Sequence, residues 1–162
     1  CAAFDYPAAM AETAVEVFLD ARSRVELFAE VDAVLRRLGE RYRLVALTNG
    51  NTDLARAGVA HYFEFALSPA ETGVSKPDPR MFEAVLARAG VAAHAVLHVG
   101  DEPRYDIQGA HGANIRSVWV NRNAREWPAG FTPAHAEITT LDGLPAVIEQ
   151  LAATAAERTA LA

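Results

Sequence analysis

One cysteine in 162 residues leaves no second thiol to bridge, so an internal disulfide framework is excluded and packing must hold the core. With Cys1 as the lone thiol, a reducing, cytoplasmic setting is the simpler expectation. Positive charge is also scarce: 15 Lys and Arg against 21 Asp and Glu leave a net charge of −6 and a pI of about 5.3. A broad nucleic-acid surface is therefore not expected, because phosphate backbones are bound by clustered Lys and Arg. A local basic pocket stays open. No apolar run approaches the roughly 20 residues that a membrane helix needs. The opening Cys1-Ala2-Ala3-Phe4 lacks the basic-then-apolar pattern of a secretory signal, so no membrane partner is expected. An initiator Met is missing too, and the expectation is a chain cut from something longer.

What is present is ordinary for a globular protein with a real core, 51% hydrophobic and 22% charged, with room for one domain and part of a second. Helical spacing covers Ala8 to Leu27, with Ala14, Val17, Phe18 and Ala21 on one stripe, and Val31 to Leu38, which stops at Gly39. Tyr42 to Leu47 suits a buried strand closed by a polar turn, Thr48-Asn49-Gly50-Asn51. A helix is expected from Thr52 or Asp53, and a short strand over Tyr62 to Leu67. Ser75-Lys76-Pro77-Asp78-Pro79 is a rigid loop that starts a helix, with Asp78 as N-cap and Pro79 at its first position. That helix directs Met81, Phe82, Val85, Leu86 and Ala89 inward and ends at Gly90. Strands over 96–99, 115–120 and 136–139 follow, separated by a helix from Asp106 to Ala113 and a loop from Asn123 to Pro133; Leu144 to Leu151 closes the chain as a helix. Such alternation predicts an α/β fold, three-layer α/β/α and Rossmann-like, with a mostly parallel sheet.

The chemistry gathers at strand ends. Val96-Leu97-His98-Val99 stops at Gly100 and is followed by Asp101 and Asp106, where a hard cation such as Mg²⁺ is held in folds of this kind. Gly100 is expected to permit a sharp turn, and Gly109-Ala110 a close helix approach. The alternative for this stretch is a loop whose Asp residues only cap a helix. Thr48-Asn49 and Lys76 lie beyond other strands. Alone, a Thr-Asn-Gly turn is usually only a turn and a loop Lys usually a solvated charge. Together, a hydroxyl and an amide donor, a compact cation and two carboxylates make the parts of a Mg²⁺-dependent phosphoryl-transfer site. His94, His98 and His111 are too scattered for a metal triad, and His98 reads as a packed core residue; Trp119 and Trp127 read as core and loop cover.

The order Leu47-Thr48-Asn49-Gly50, Ser75-Lys76-Pro77-Asp78-Pro79, then Val99-Gly100-Asp101 through Asp106 with Gly109-Ala110, resembles motifs two, three and four of the haloacid dehalogenase-like hydrolase superfamily. The resemblance implies that Thr48 and Asn49 bind the transferring phosphoryl group. Lys76 would be the catalytic cation holding phosphate and nucleophile together, and Asp101 with Asp106 would serve Mg²⁺. The family's first motif is a strand ending in Asp-x-Asp, whose first Asp forms an aspartyl-phosphate and whose second is the general acid/base. No Asp-x-Asp occurs in this sequence, and Asp5 has no apolar strand before it. The resemblance thus implies that residues 1–27 are the later part of a helical cap and that 28–162 form a core lacking its first, central strand. The expected function is a phosphatase for a small phosphorylated metabolite, the chain as given being an inactive fragment. The alternatives are a haloacid dehalogenase or a non-catalytic, truncated or degenerate binding module. Dehalogenases tend to carry Ser-Asn where Gly100-Asp101 keeps the metal-binding form, which favours the phosphatase. Nothing in the residues names the substrate.

Overall fold

The computed structural model describes residues 7–50 and 53–160. Cys1, Asp5, Asn51 and Thr52, named above, lie outside them. The elements run α1 (Ala8–Ser23), α2 (Val31–Gly39), β1 (Val45–Leu47), β2 (Phe65–Leu67), α3 (Pro69–Thr72), α4 (Pro79–Ala89), β3 (Leu97–Gly100), α5 (Gln108–Gly112), β4 (Arg116–Val120), β5 (Ala136–Ile138) and α6 (Leu144–Ala160). Every strand pairing is parallel, β1 with β2, β3 with β4 and β4 with β5, as the helix–strand alternation requires.

Side chains alternate across a strand, so each strand feeds both faces of the sheet. One face packs Val34 and Leu38 of α2 and Leu144 of α6 on Val118, Val120 and Ile138, with Leu44, Leu97 and Val99 against them. The other packs Phe82 of α4 on Ala110, Ala113 and Ile115, with Leu47 and Val96 against them. The result is the three-layer α/β arrangement. Burying Phe82 completely contributes about 2–3 kcal/mol of apolar transfer free energy.

The strands form two sheets, β1–β2 and β3–β4–β5. β4 has neighbours on both sides and is buried from Ser117 to Val120, whereas every residue of β1 and β3 is only half-buried. Leu44, just before β1, shares one apolar cluster with Leu97 and Val99; Leu47 shares the other with Val96. β1 and β3 therefore lie between the same two helical layers, although no hydrogen-bonded pairing joins them.

Several boundaries depart from the sequence expectation. α1 stops at Ser23, and Val17 and Phe18 of its apolar stripe are 64% and 58% exposed, so the spacing makes a helix without burying its face. The first strand begins at Val45; just before it the Leu44 carbonyl accepts from the Glu64 amide (2.8 Å), and the Arg43 side chain makes a two-pronged pairing with Glu64, 2.7 Å on each prong, and donates to the Ala89 carbonyl. In place of the helix expected at Asp53 there is one turn, capped by Asp53 Oδ1 on the amides of Ala55 and Arg56. Tyr62 belongs to a 3₁₀ turn, which shortens the next strand to Phe65–Leu67. α3 adds a turn of helix beyond the sequence expectation, where Ser68 and Glu71 form a capping box around Pro69, a signal legible in the sequence. No helix of the described residues is long and apolar enough to cross a membrane.

Candidate active site

β3 ends at Gly100, and what glycine provides there is room rather than a turn: a Cβ would lie 2.3 Å from Asp106 Cγ. This corrects the expectation of a conformational role. Gly109 meets its expectation, since a Cβ would lie 2.5 Å from the Phe82 ring and 3.1 Å from Pro77 Cα, so α5 packs directly on α4 and on the proline loop. The helix expected from Asp106 is preceded by a π-helical turn over Pro103–Ile107. Wide turns of this kind occur frequently at functional sites. Here it brings Asp106 back against Gly100, where the Asp106 amide donates to the Glu102 carbonyl (2.8 Å) and Asp106 Oδ2 accepts from the Glu102 amide (3.0 Å).

Asp106 is 4% exposed, so its charge must be compensated locally. Its Oδ1 accepts from Lys76 Nζ at 2.7 Å and from His98 Nε2 at 3.3 Å. A carboxylate only accepts, so His98 Nε2 carries the proton. Burial raises the Asp106 carboxyl, but the His98 hydrogen bond and the Lys76 charge and hydrogen bond outweigh it and hold the group well below the usual carboxylate range. The sequence reading missed this contact. A single imidazole in an otherwise apolar strand, pointing opposite to Leu97 and Val99, was its only signal.

A carboxyl lowered in the native state stabilises fully above its unfolded pKa of about 3.9, and that stability is lost as pH falls through the lowered native value. Glu30, Glu64 and Asp78 are lowered as well, but Glu64 is exposed and Glu30 and Asp78 are only half-buried. The expected result is that urea midpoints fall with pH below about 4, and that Asp106→Asn removes part of that slope, more than Asp78→Asn does. Parallel slopes in wild type and Asp106→Asn would assign the acid sensitivity elsewhere.

Lys76 is fixed along its length. Its Nζ donates to the Leu47 carbonyl at 2.9 Å as well as to Asp106. Asn49 pairs with its main chain, Nδ2 to the Lys76 carbonyl at 2.9 Å and the Lys76 amide to Oδ1 at 2.7 Å. Thr48 follows β1, its amide on the Leu67 carbonyl and its hydroxyl accepting from the Gly50 amide, which leaves the hydroxyl proton free to donate. Asp101 follows Gly100 with an exposed side chain; its carbonyl accepts from the buried Trp119 Nε1 (3.0 Å) and from Arg125 Nη2 (2.6 Å). Thr48, Asn49, Lys76, Asp101 and Asp106 thus come together at the carboxyl ends of β1 and β3. His98, Trp119 and Arg125 join them as supports.

Among the described residues no three or more His, Cys, Asp or Glu side chains gather closely enough to hold a metal by themselves. The donor set still suits Mg²⁺, which is commonly held by one or two carboxylates with waters and substrate oxygens completing the shell. Asp106 has three of about four acceptor positions filled, so the exposed Asp101 would carry the larger share. The group as a whole can bind an anion and stabilise developing negative charge.

A family model described as haloacid dehalogenase-like hydrolase matches residues 4–114. A phosphoserine phosphatase of Thermus thermophilus is 42% identical over 116 residues, 68% of this chain and 47% of that protein. A 5-amino-6-(5-phospho-D-ribitylamino)uracil phosphatase of Escherichia coli is 31% identical over 142 residues, 85% of this chain and 59% of that protein. Among solved structures, a 2-haloacid dehalogenase from Pseudomonas syringae pv. Tomato superposes with a TM-score of 0.85 at 41% identity, covering 90% of this chain and 65% of that one. The chain spans about half the length of the curated relatives it matches. With the match to the family model covering well over half of its residues, the chain belongs to the haloacid dehalogenase-like hydrolase family.

Proposed function

We propose that the protein is a Mg²⁺-dependent phosphatase for a small phosphorylated metabolite, and that this chain carries the phosphoryl-binding and metal-binding half of its site. The observation that carries the reading is the Lys76 ammonium held between the Leu47 carbonyl and the Asp106 carboxylate beside the ends of two parallel strands. A cation fixed in this way binds phosphoryl oxygens without reorganising when charge develops. The Thr48 hydroxyl donates to a second oxygen, and Asp101, with a lesser contribution from Asp106, holds the cation that neutralises the rest. Mg²⁺ supplies Lewis-acid stabilisation of the transferring group. A cytoplasmic setting fits the single cysteine.

Attack falls to the first Asp of an Asp-x-Asp strand, as the family resemblance implies, giving an aspartyl-phosphate that water then hydrolyses. β1 and β3 share their helical layers and lack a common pairing, so a strand lying between them would end beside Lys76. Residues 1–27 belong to the end of a helical cap and 28–162 to the core. Without the attacking carboxylate, residues 1–162 alone bind the anion and do not turn it over.

The experiment is an assay of the intact protein with Mg²⁺ against phosphorylated metabolites and 2-haloacids. Phosphate release that stops on chelation is expected. Asp101→Asn should lower activity about 10²-fold, whereas Glu102→Gln leaves it within about twofold. The reason is that the Glu102 carboxylate faces Arg125 at 3.7 Å and Glu102 touches Asp106 only through its main chain, which the substitution keeps. Dehalogenation is the second reading, favoured by the 41% identical dehalogenase structure. Halide release without phosphate release would establish it in place of the first. Residues 1–162 with an aryl phosphate should stay at the buffer blank; turnover lost on Asp101→Asn would mean the chain contains its own nucleophile.

A further inference from the structure

We infer that the Asn49 side chain is a positioning group for Lys76, acting on its main chain, a role other than the phosphoryl ligand that the sequence resemblance implied. The inference rests on the reading of Lys76 as the phosphoryl-binding cation. Two short bonds join the Asn49 amide to both peptide groups of Lys76, in the reciprocal pattern of two paired strands, across 27 positions of sequence. Pro77 has no N–H, so Lys76 is the one residue of this Lys-Pro pair able to offer both a donor and an acceptor. Asn49 takes both.

The consequence is mechanical. A lysine stem has four carbons and ample rotamer freedom, and an ammonium at its tip is positioned only when both ends of the stem are fixed. The tip is held by Leu47 and Asp106 and the base by Asn49. The turn carrying Asn49 is itself fixed, since the Thr48 amide donates to the Leu67 carbonyl and the Gly50 amide to the Thr48 hydroxyl. Phosphoryl oxygens only accept, and of the two protons on the Asn49 NH₂ one already goes to the Lys76 carbonyl, so the pairing with the Lys76 main chain fixes the plane of the side-chain amide. Its Oδ1 has nothing to offer an anion.

A double-mutant cycle on the intact protein, read as affinity for inorganic phosphate, separates the two roles. Lys76→Met should weaken phosphate binding about tenfold or more, and Asn49→Ala about tenfold. On the Lys76→Met background Asn49→Ala should add less than about twofold, because a residue that acts only through Lys76 has nothing left to act on. Full additivity would overturn the inference. Unchanged binding in Lys76→Met would instead overturn the site reading beneath it. Amide exchange supplies a measurement independent of ligand: the Lys76 N–H should exchange about tenfold faster in Asn49→Ala, which lacks its acceptor. In Asn49→Asp, which keeps an oxygen at Oδ1, it should stay slow. Unchanged exchange in Asn49→Ala overturns the inference, and should that variant not fold, fast exchange in Asn49→Asp overturns it equally.

Discussion

Lys76→Met in the intact protein is expected to lower turnover by about 10²- to 10³-fold, the loss that follows removal of one preorganised donor to developing charge. The size of the effect comes from how Lys76 is held. Its side chain is 11% exposed, with Nζ on the Leu47 carbonyl and on Asp106, so neither water nor a rotamer change readily replaces it. Removing the ammonium also leaves Asp106 buried with only His98 and the Glu102 amide as donors, so some stability must be lost with the activity. Turnover is therefore compared at a temperature where circular dichroism of the variant matches wild type. Lys76→Arg separates the two effects. It keeps the charge opposite Asp106 but replaces a compact point charge by a planar fork, so stability should be largely retained while turnover still falls by more than tenfold. A Lys76→Met enzyme with most of its turnover would make Lys76 a structural partner of Asp106 and nothing more.

Asp106→Asn is expected to destabilise the intact protein by about 3 kcal/mol, or about 10 °C in Tm. Breaking a buried pair leaves the remaining charge without compensation, and here one carboxylate serves three donors at once. The amide that replaces it keeps a single acceptor oxygen for those donors and turns an NH₂ toward one of them. Asp101→Asn is the control: its side chain is exposed, so its Tm should move by less than about 2 °C. The double variant Lys76→Met/Asp106→Asn should be less destabilised than the sum of its parts, because removing both charges leaves none buried alone. Thermal or urea unfolding of wild type, the three single variants and the double variant reads the result, and an Asp106→Asn Tm equal to that of Asp101→Asn would refute the buried pair.

Local chemistry made much of this protein legible in its sequence. Apolar runs bounded by Gly, Pro and Asp marked the strands and the Asp78-capped helix, because those residues act on the backbone where they stand. The motif order carried the family for the same reason: Thr48-Asn49 and Gly100-Asp101 sit at the ends of strands, and Lys76-Pro77 sits in the loop just ahead of the Asp78-capped helix. Tertiary structure decided what side chains do with partners distant in the chain. Periodicity gave α1 an apolar stripe but not a surface to bury it on, and nothing local paired the Arg43 side chain with Glu64. Nothing in a linear reading joins His98 and Lys76 to one carboxylate, or sets the Asn49 side chain on the main chain of Lys76. Those are contacts between residues 8, 27 and 30 positions apart, set by how the two helical layers close on the sheet and by the requirement that a buried charge find its donors.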